Sequence, residues 1–166
     1  MGGASPDFID MDEVLLKLDF CGITGPVVFN IRPGTYNQNL ELSSVDGASF
    51  TNTITFKSET NNAADVIFND TINSMATIYL DSASHYRFMN LTLKGGNASR
   101  SRVVELKNSC TNIIFENNII EGISDNSTST NYALIYSSKA TSQKDSILVF
   151  NNNTFLNGSQ AIYLSG

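Results

Sequence analysis

The chain has 166 residues, of which 41% are hydrophobic and only 16% are charged, and its formal net charge is −6. The length predicts about one domain. A negative charge without a basic cluster argues against nucleic-acid binding, which needs Lys and Arg gathered on one face. No apolar run is long enough to cross a bilayer, so membrane insertion is not expected.

The first 26 residues predict a capping helix. In "SPDFIDMDEVLLKLDFCG", Ser5 or Asp7 can cap the amino end, Pro6 suits the first turn and Gly22 can end the helix. Apolar residues recur at helical spacing at Phe8, Met11, Val14, Leu15 and Leu18. One amphipathic helix followed only by strands is expected to cover the hydrophobic end of a stack of strands.

Residues 27–166 predict short strands joined by polar turns. "VVFNI", "NLEL", "TITFKS" and "DVIFND" are rich in β-branched and aromatic residues, and "RPGTY" and Gly47 are interpreted as turns between them. No long helix separates these segments, so the crossovers of a doubly wound sheet are missing. An antiparallel sandwich and a parallel coil remain as alternatives.

A repeat favours the parallel coil. "YRFMNLTLKGG", "IIFENNIIEG" and "LVFNNNTFLNG" align as Phe-x-Asn, a short apolar pair and a glycine. Self-similarity at 27 and 35 residues is typical of solenoids, whereas a sandwich has no need to repeat its sequence. In a parallel coil each Asn amide can bond to its equivalent one turn above. We therefore predict a structural ladder made of Asn90, Asn117 and Asn152 beside Phe88, Phe115 and Phe150.

With this Phe-x-Asn rung and asparagine corner, the chain resembles the right-handed parallel β-helix family, the pectate-lyase-like superfamily. The opening, through "GPVVFNIRPGTY" to "NTITF", is similar to the cap and first rungs of large secreted β-helix proteins of Bacteroidetes-type bacteria. The resemblance implies an all-β solenoid with an amino-terminal cap, truncated at its carboxyl end. It also implies a secreted or cell-surface location, with the signal peptide missing from this fragment.

Three functions fit this architecture. The first is a non-catalytic scaffold that contacts polysaccharide or other surface ligands through its lateral face. The second is the amino-terminal part of a polysaccharide lyase or glycoside hydrolase, and a third, a trimeric tailspike-like fibre, shares the fold. The paired aspartates, Gly-His-Gly and Arg-x-Lys that resemblance to polygalacturonases would imply do not occur. The scaffold is therefore the preferred hypothesis.

Candidate site residues are few. Asp81, His85 and Arg87 could supply acid and base groups for chemistry on a sugar acid, although polar turn residues are the more ordinary interpretation. Asp65 and Asp70, with Asp81, could bind calcium if they stacked on neighbouring rungs. Solvated turn charges are the preferred interpretation of these residues, and no other cofactor is indicated.

Tyrosines form a second candidate set. Tyr79, Tyr136 and Tyr163 recur at the upstream strand of successive rungs and could stack on sugar rings, as could Tyr36 and Tyr132 if exposed. A buried aromatic stack is an alternative, because Leu106 is predicted at the matching position of the intervening rung.

The cysteines and the last rung complete the expectations. Cys21 and Cys110 are predicted to be free, since several coils should separate them. The last rung, ending in "YLSG", is predicted to be uncovered, so self-association through that open edge is expected.

Overall fold

In the computed structural model, which describes residues 6–70, 76–96, 101–124, 126–138 and 143–165, the chain coils into a parallel β-helix. Within those residues, fifteen short strands form three five-stranded sheets whose neighbouring strands run parallel. The predicted all-β parallel solenoid with a short amino-terminal helix is confirmed.

Each coil supplies one strand to each sheet. In chain order the strands are β1 (Val27–Ile31), β2 (Gly34–Tyr36), β3 (Leu40–Leu42), β4 (Ile54–Ser58), β5 (Val66–Asn69), β6 (Ile78–Asp81), β7 (Tyr86–Met89), β8 (Thr92–Lys94), β9 (Val104–Lys107), β10 (Thr111–Glu116), β11 (Ile119–Glu121), β12 (Ala133–Ser138), β13 (Ser146–Asn151), β14 (Thr154–Leu156) and β15 (Gln160–Ser165). The first sheet is β1-β4-β7-β10-β13, the second β2-β5-β8-β11-β14 and the third β3-β6-β9-β12-β15. Coil 1 is β1 to β3, and coil 5 is β13 to β15. Short 3-10 helices span Ala63–Asp65 and Thr130–Tyr132.

Phenylalanine rings stack along the inner face of the first sheet. The strand register pairs Phe115 with both Phe88 and Phe150, and the ring centroids are 4.9 and 5.6 Å apart. The stack continues from Phe88 to Phe56 at 5.9 Å and from Phe56 to Phe29 at 5.2 Å. Because each ring rests on its equivalent, the repeated aromatic position builds one continuous core.

Asparagines occupy the bend after the strands of the first sheet from coil 3 onward. Asn90, Asn117 and Asn152 have φ values of 54°, 56° and 52°. This is the left-handed region, which Asn tolerates better than most residues. Asn152 Nδ2 donates to Asn117 Oδ1 at 2.6 Å, so a side-chain hydrogen bond between asparagines links coils 4 and 5 at this corner.

The deeper hydrogen bonds come from the following residue, whose role was not predicted from the sequence. Asn118 Nδ2 donates to the carbonyl of Phe88 at 2.9 Å, and Asn118 Oδ1 accepts from the backbone N–H of Leu91 at 2.9 Å. Asn153 Nδ2 repeats the first contact one coil later, on the carbonyl of Phe115. Asn118 is 1% exposed, and its amide satisfies backbone groups that would otherwise be buried without partners.

The recurring glycine follows the second sheet because side chains from the third sheet come close to it. A Cβ atom on Gly122 would lie 2.6 Å from Leu134 Cδ2, and one on Gly158 would lie 2.7 Å from the same atom. Leu134 is fully buried. Glycine at both positions therefore allows the coil to close over its core.

Helix α1 (Met11–Cys21) covers coil 1. Its buried side chains are Met11, Val14 and Leu18, and Phe8 packs edge-on against Phe29 with ring centroids 5.8 Å apart. The amino-terminal helix therefore covers the end of the phenylalanine stack, as predicted. No helix within the described ranges has the length and hydropathy needed to cross a membrane.

The capping residue of this helix differs from the prediction. Asp10 is extended, and its carboxylate accepts from the backbone N–H of Glu13 at 2.9 Å. Asp7 lies too far upstream to be the cap, because the first helical turn begins directly after Asp10; Ser5 lies outside the described residues. Gly22 ends the helix with a φ of 60°, as expected.

The segment "RPGTY" was predicted to be a turn, and this prediction is wrong for its second half. Gly34–Tyr36 forms β2 and pairs in parallel with β5. The ring of Tyr36 stacks on Phe68 at 5.3 Å, so it belongs to the core rather than to a sugar-binding surface. Pro and Gly are local turn signals, and they do not report the pairing that a later coil provides.

Among the described residues, β13, β14 and β15 of coil 5 are the outermost strands of the three sheets. Ile162 pairs with Ile135 and faces the same way, yet Ile162 is 41% exposed and Ile135 is fully buried. Leu164, two residues further along the same strand, is 52% exposed. The core positions of this last coil therefore remain open to solvent on one side.

Neither Cys21 nor Cys110 forms a disulfide, as predicted. Cys21 is exposed at the end of α1, whereas Cys110 is buried. The thiol of Cys110 donates to the carbonyl of Lys107, 3.1 Å away. Cys110 thus behaves as a small core residue.

Candidate ligand-binding site

A groove of about 490 Å³ lies between α1 and the third sheet, beside coils 1 and 2. Its apolar lining comes from both sides: Leu15 and Leu18 from α1, and Leu42 and Val45 from β3 and the loop that follows it. Small-molecule sites typically measure about 300–1,000 Å³ and have an apolar lining with a few polar groups. The groove therefore has the size and lining of a ligand site, and we name it the cap groove.

Tyr79 and Asp81 both line the cap groove. Side chains in β6 alternate between buried and half-buried, so these two residues face outward while Ile78 and Leu80 enter the core. The structure thus brings together a tyrosine and an aspartate that sequence analysis had assigned to separate candidate sites.

Three further carboxylates line the cap groove: Asp12 and Asp19 from α1, and Glu41 from β3. Asp12 and Asp19 are seven residues apart, which places both on one helical face. Glu41 is the exposed residue of β3 and pairs with Tyr79 in the strand register. None of the described residues that line the groove is basic. The site therefore combines an apolar floor with a negative rim.

Sequence analysis missed these three carboxylates as site residues. The seven-residue spacing of the helix aspartates and the alternation "LEL" were visible signals of which way each side chain points. What the sequence lacked was the position of α1 relative to the third sheet. Only that packing places the helix carboxylates opposite those of the strands.

Tyr86 forms part of the groove lining from below. It is 1% exposed, and its hydroxyl donates to the carbonyl of Ser43 at 2.9 Å. Burial raises the pKa of Tyr86 well above its usual value, and the negative charge of Asp19 raises this pKa further. The phenol therefore stays protonated and remains a hydrogen-bond donor.

Tyr136 and Tyr163 lie on the outer face of the same sheet, in coils 4 and 5, with their ring centroids 5.4 Å apart. In the register, Glu105 and not Leu106 lies between Tyr79 and Tyr136, so the predicted match with Leu106 is wrong. Leu106 is 1% exposed and faces the core. The error is a shift of one residue, which in a strand exchanges the two faces.

Tyr136 is already engaged by the protein. The guanidinium carbon of Arg102 lies 3.3 Å from the centroid of the Tyr136 ring, and Arg102 also pairs with Glu105 at 3.0 Å. Both charged side chains are buried, at 5% and 1% exposure. An internal cation thus covers one face of the Tyr136 ring.

The candidate acid and base residues Asp81, His85 and Arg87 engage different partners. Asp81 Oδ1 accepts from Asn108 Nδ2 at 2.7 Å at the end of the third sheet. Arg87 lies in the first sheet, in register with Thr55 and Ile114. The carboxylate and the guanidinium therefore belong to two different sheets.

His85 precedes β7 in the left-handed conformation, with a φ of 66°. Asn112 Nδ2 donates to His85 Nδ1 at 2.9 Å, and the imidazole packs edge-on against Phe50 at 5.0 Å. Burial lowers the pKa of His85 below its ordinary value of 6.5. At neutral pH the ring is therefore uncharged, and its Nδ1 accepts a hydrogen bond.

The candidate calcium ligands Asp65 and Asp70 flank opposite ends of β5. Asp65 accepts hydrogen bonds from Thr60 Oγ1 at 2.6 Å and Asn62 Nδ2 at 2.9 Å, and Asp70 is 3% exposed. In the described part of the chain, no group of three or more His, Cys, Asp or Glu side chains is placed to hold a metal ion. Calcium binding stays a prediction.

The comparisons with known proteins add no relative. The chain matches no family model, no curated protein and no solved structure. Resemblance to the pectate-lyase-like superfamily therefore stays a prediction from sequence motifs. The structure itself establishes the architecture, three parallel sheets of stacked strands.

Proposed function

We propose that this chain is a non-catalytic, secreted or cell-surface scaffold that binds polysaccharide through the cap groove on its lateral face. The observation that carries the proposal is the outward tyrosine Tyr79 beside exposed carboxylates in an apolar groove of about 490 Å³. A sugar ring has an apolar face that packs on an aromatic ring, and hydroxyl groups that donate to carboxylates.

Rigidity supports the scaffold role. In solenoids each repeat contacts only its neighbours, and continuous pairing along the axis presents an extended lateral surface. Here five coils stack in register over one aromatic core. A groove attached to this stack is held in a fixed shape, which reduces the entropy cost of binding.

The different partners of Asp81, His85 and Arg87 support a non-catalytic role. Asp81 lies at the third sheet and Arg87 in the first, and His85 bonds to Asn112. General acid and base groups must reach the same reacting atoms, which requires convergence.

Titration calorimetry with the soluble neutral polysaccharides xylan and laminarin tests the proposal, and sugar release is measured in parallel from these and from polygalacturonate. We expect binding without turnover, and Tyr79→Ala should weaken binding about tenfold, close to the upper end of a typical aromatic contact. Tyr132→Ala is the matched control, because Tyr132 is half-buried in a 3-10 helix and does not line the groove.

Two results would overturn this proposal. Turnover that His85→Ala or Arg87→Ala abolishes would establish an enzyme. Binding that survives Tyr79→Ala but is lost in Tyr132→Ala would place the ligand elsewhere on the solenoid.

A further inference from the structure

The charge of the cap groove limits which ligands it can accept, and this inference rests on the proposed function. Four carboxylates, Asp12, Asp19, Glu41 and Asp81, surround an apolar floor, and the described lining contains no basic side chain. An anionic polymer such as a polyuronate would bring further negative charge into this site. Like charges at short range repel, most strongly where apolar walls lower the local dielectric.

None of these four carboxylates takes part in the ion pairs seen among the described residues. Among the described residues those pairs are Lys94 with Glu121, Arg102 with Glu105, and Lys107 with Glu105. Glu41 and Asp81 accept hydrogen bonds from neutral amides, those of Asn39 and Asn108. Such bonds leave the negative charge of each carboxylate in place.

The carboxylates line the groove without converging on one point. No group of three or more acidic, His or Cys side chains among the described residues is placed to hold a metal ion. Two carboxylates come from α1 and two from strands β3 and β6 of the third sheet, so they belong to separate elements of the lining. This spacing suits an extended ligand that carries several separate cationic groups rather than a single ion.

Tyr79 favours a cation that is carried on a ring with an apolar face. It stands next to Glu41 in the strand register and two residues before Asp81 on the same face of β6. A ring with an apolar face and a protonated amine at its edge would pack on the tyrosine and reach either carboxylate. Ammonium groups also interact favourably with the face of an aromatic ring.

We propose that the cap groove binds an amine-bearing glycan, namely a run of unacetylated amino sugars whose ammonium groups pair with the carboxylates of α1 and of the third sheet. The occupant is argued from charge complementarity and from the tyrosine. A basic peptide is the competing occupant, and the experiment below includes it as an outcome.

Titration calorimetry with a glucosamine hexamer, an N-acetylglucosamine hexamer and a hexalysine peptide tests the inference at pH 6 and low salt. We expect the glucosamine hexamer to bind at least tenfold more tightly than its acetylated analogue. Its affinity should fall as NaCl rises, because ionic contacts are screened. Both sugars keep the same ring geometry, so the difference isolates the ammonium charge.

The double variant Asp19→Asn/Glu41→Gln should weaken glucosamine hexamer binding at least tenfold and leave N-acetylglucosamine hexamer binding within about twofold. Both residues are exposed, so the fold should be retained. The double variant Asp7→Asn/Glu59→Gln is the matched control, because both residues are exposed and line a different cavity. This control removes the same formal charge and should bind like the parent chain.

The outcomes separate this inference from the proposed function. Equal affinity for the two sugars would overturn the inference while polysaccharide binding stands. If the Asp19→Asn/Glu41→Gln variant binds the glucosamine hexamer as tightly as the parent chain, the hexamer does not bind in the cap groove. Binding of hexalysine with no binding of any sugar would overturn both, and would make the groove a peptide site.

Discussion

The two ends of this solenoid carry similar core residues in different surroundings. At coil 1, Phe29 is covered by Phe8, and Met11 and Val14 of α1 are 1% and 2% exposed. At coil 5, Ile162 and Leu164 also occupy core-facing positions of their strand, yet they are 41% and 52% exposed. A parallel coil buries its core only between layers, so each end depends on a cover that the repeat itself does not provide.

The largest expected effect on stability comes from a charged substitution on the buried face of α1, which covers coil 1. Val14→Asp places a charge among the buried side chains of α1, and we expect it to destabilise the fold by about 4 kcal/mol. Leu16→Asp on the same helix, where Leu16 is 58% exposed, should change stability by less than about 0.5 kcal/mol. Urea unfolding measures both, and similar losses would contradict the assignment of the buried helix face.

The phenylalanine stack allows the interior of the solenoid to be compared with coil 5. Phe88 is fully buried between neighbours on both sides, so Phe88→Ala should cost about 3–4 kcal/mol. Phe150 belongs to coil 5 and is only half-buried, so Phe150→Ala should cost about half as much. Thermal unfolding of the two variants checks the ratio. Equal costs would mean that coil 5 is covered in solution.

At the asparagine corner, we expect a smaller difference in stability between a variant of the buried Asn118 and a variant of the exposed Asn152. Asn118→Ala leaves the Phe88 carbonyl and the Leu91 N–H without their partner, which should cost about 2 kcal/mol. Asn152→Gly suits the left-handed φ of 52°, removes one exposed bond to Asn117 and should cost less than about 1 kcal/mol. Denaturant titration separates the two, and a larger loss for Asn152→Gly would mean that the outer corner carries the stability.

The exposed side chains of coil 5 should affect the oligomeric state in solution more than they affect the free energy of unfolding. We propose that the exposed core of coil 5 makes the chain self-associate, as its sequence predicted. Leu164→Lys should abolish the association and change the free energy of unfolding by less than about 0.5 kcal/mol. Analytical ultracentrifugation across a concentration series measures the first effect. A parent chain that stays monomeric at high concentration would contradict the proposal.

The smallest effect concerns His85. Because burial lowers its pKa below 6.5, the unfolded chain takes up a proton before the folded chain does as the pH falls. Stability should therefore be fully present above about pH 6.5 and decline slightly as the pH falls through the folded pKa. His85→Asn removes the titration and suits the left-handed backbone. Urea midpoints at pH 7.5 and pH 5 should differ more for the parent chain than for this variant.

Much of the fold could be predicted from the sequence because each repeat contains the residues that its own coil requires. Phe-x-Asn recurs wherever an inward ring precedes a left-handed bend, and these two requirements are local. The prediction failed where the signal was non-local. Gly34–Tyr36 becomes a strand only because β5 pairs with it, and Glu105 replaces Leu106 beside Tyr79 through a shift of one residue.

The candidate site was predictable only in part. Tyr79 and Asp81 stood out because they lie on one strand of a recognisable repeat. Asp12 and Asp19 did not, because on a helix surface they resemble ordinary solvated charges. Their role depends on what lies opposite them, and a helix does not encode that in its own residues.

The sequence by itself determined that this chain is a coil of parallel strands with a helical cover, because stacking like residues demands that they recur. Only the tertiary structure decided that the carboxylates of α1 face Tyr79 and Glu41 across a groove. Periodicity specifies which side of a strand or helix is buried, whereas the angle at which the cover packs is set by side-chain fit between distant segments.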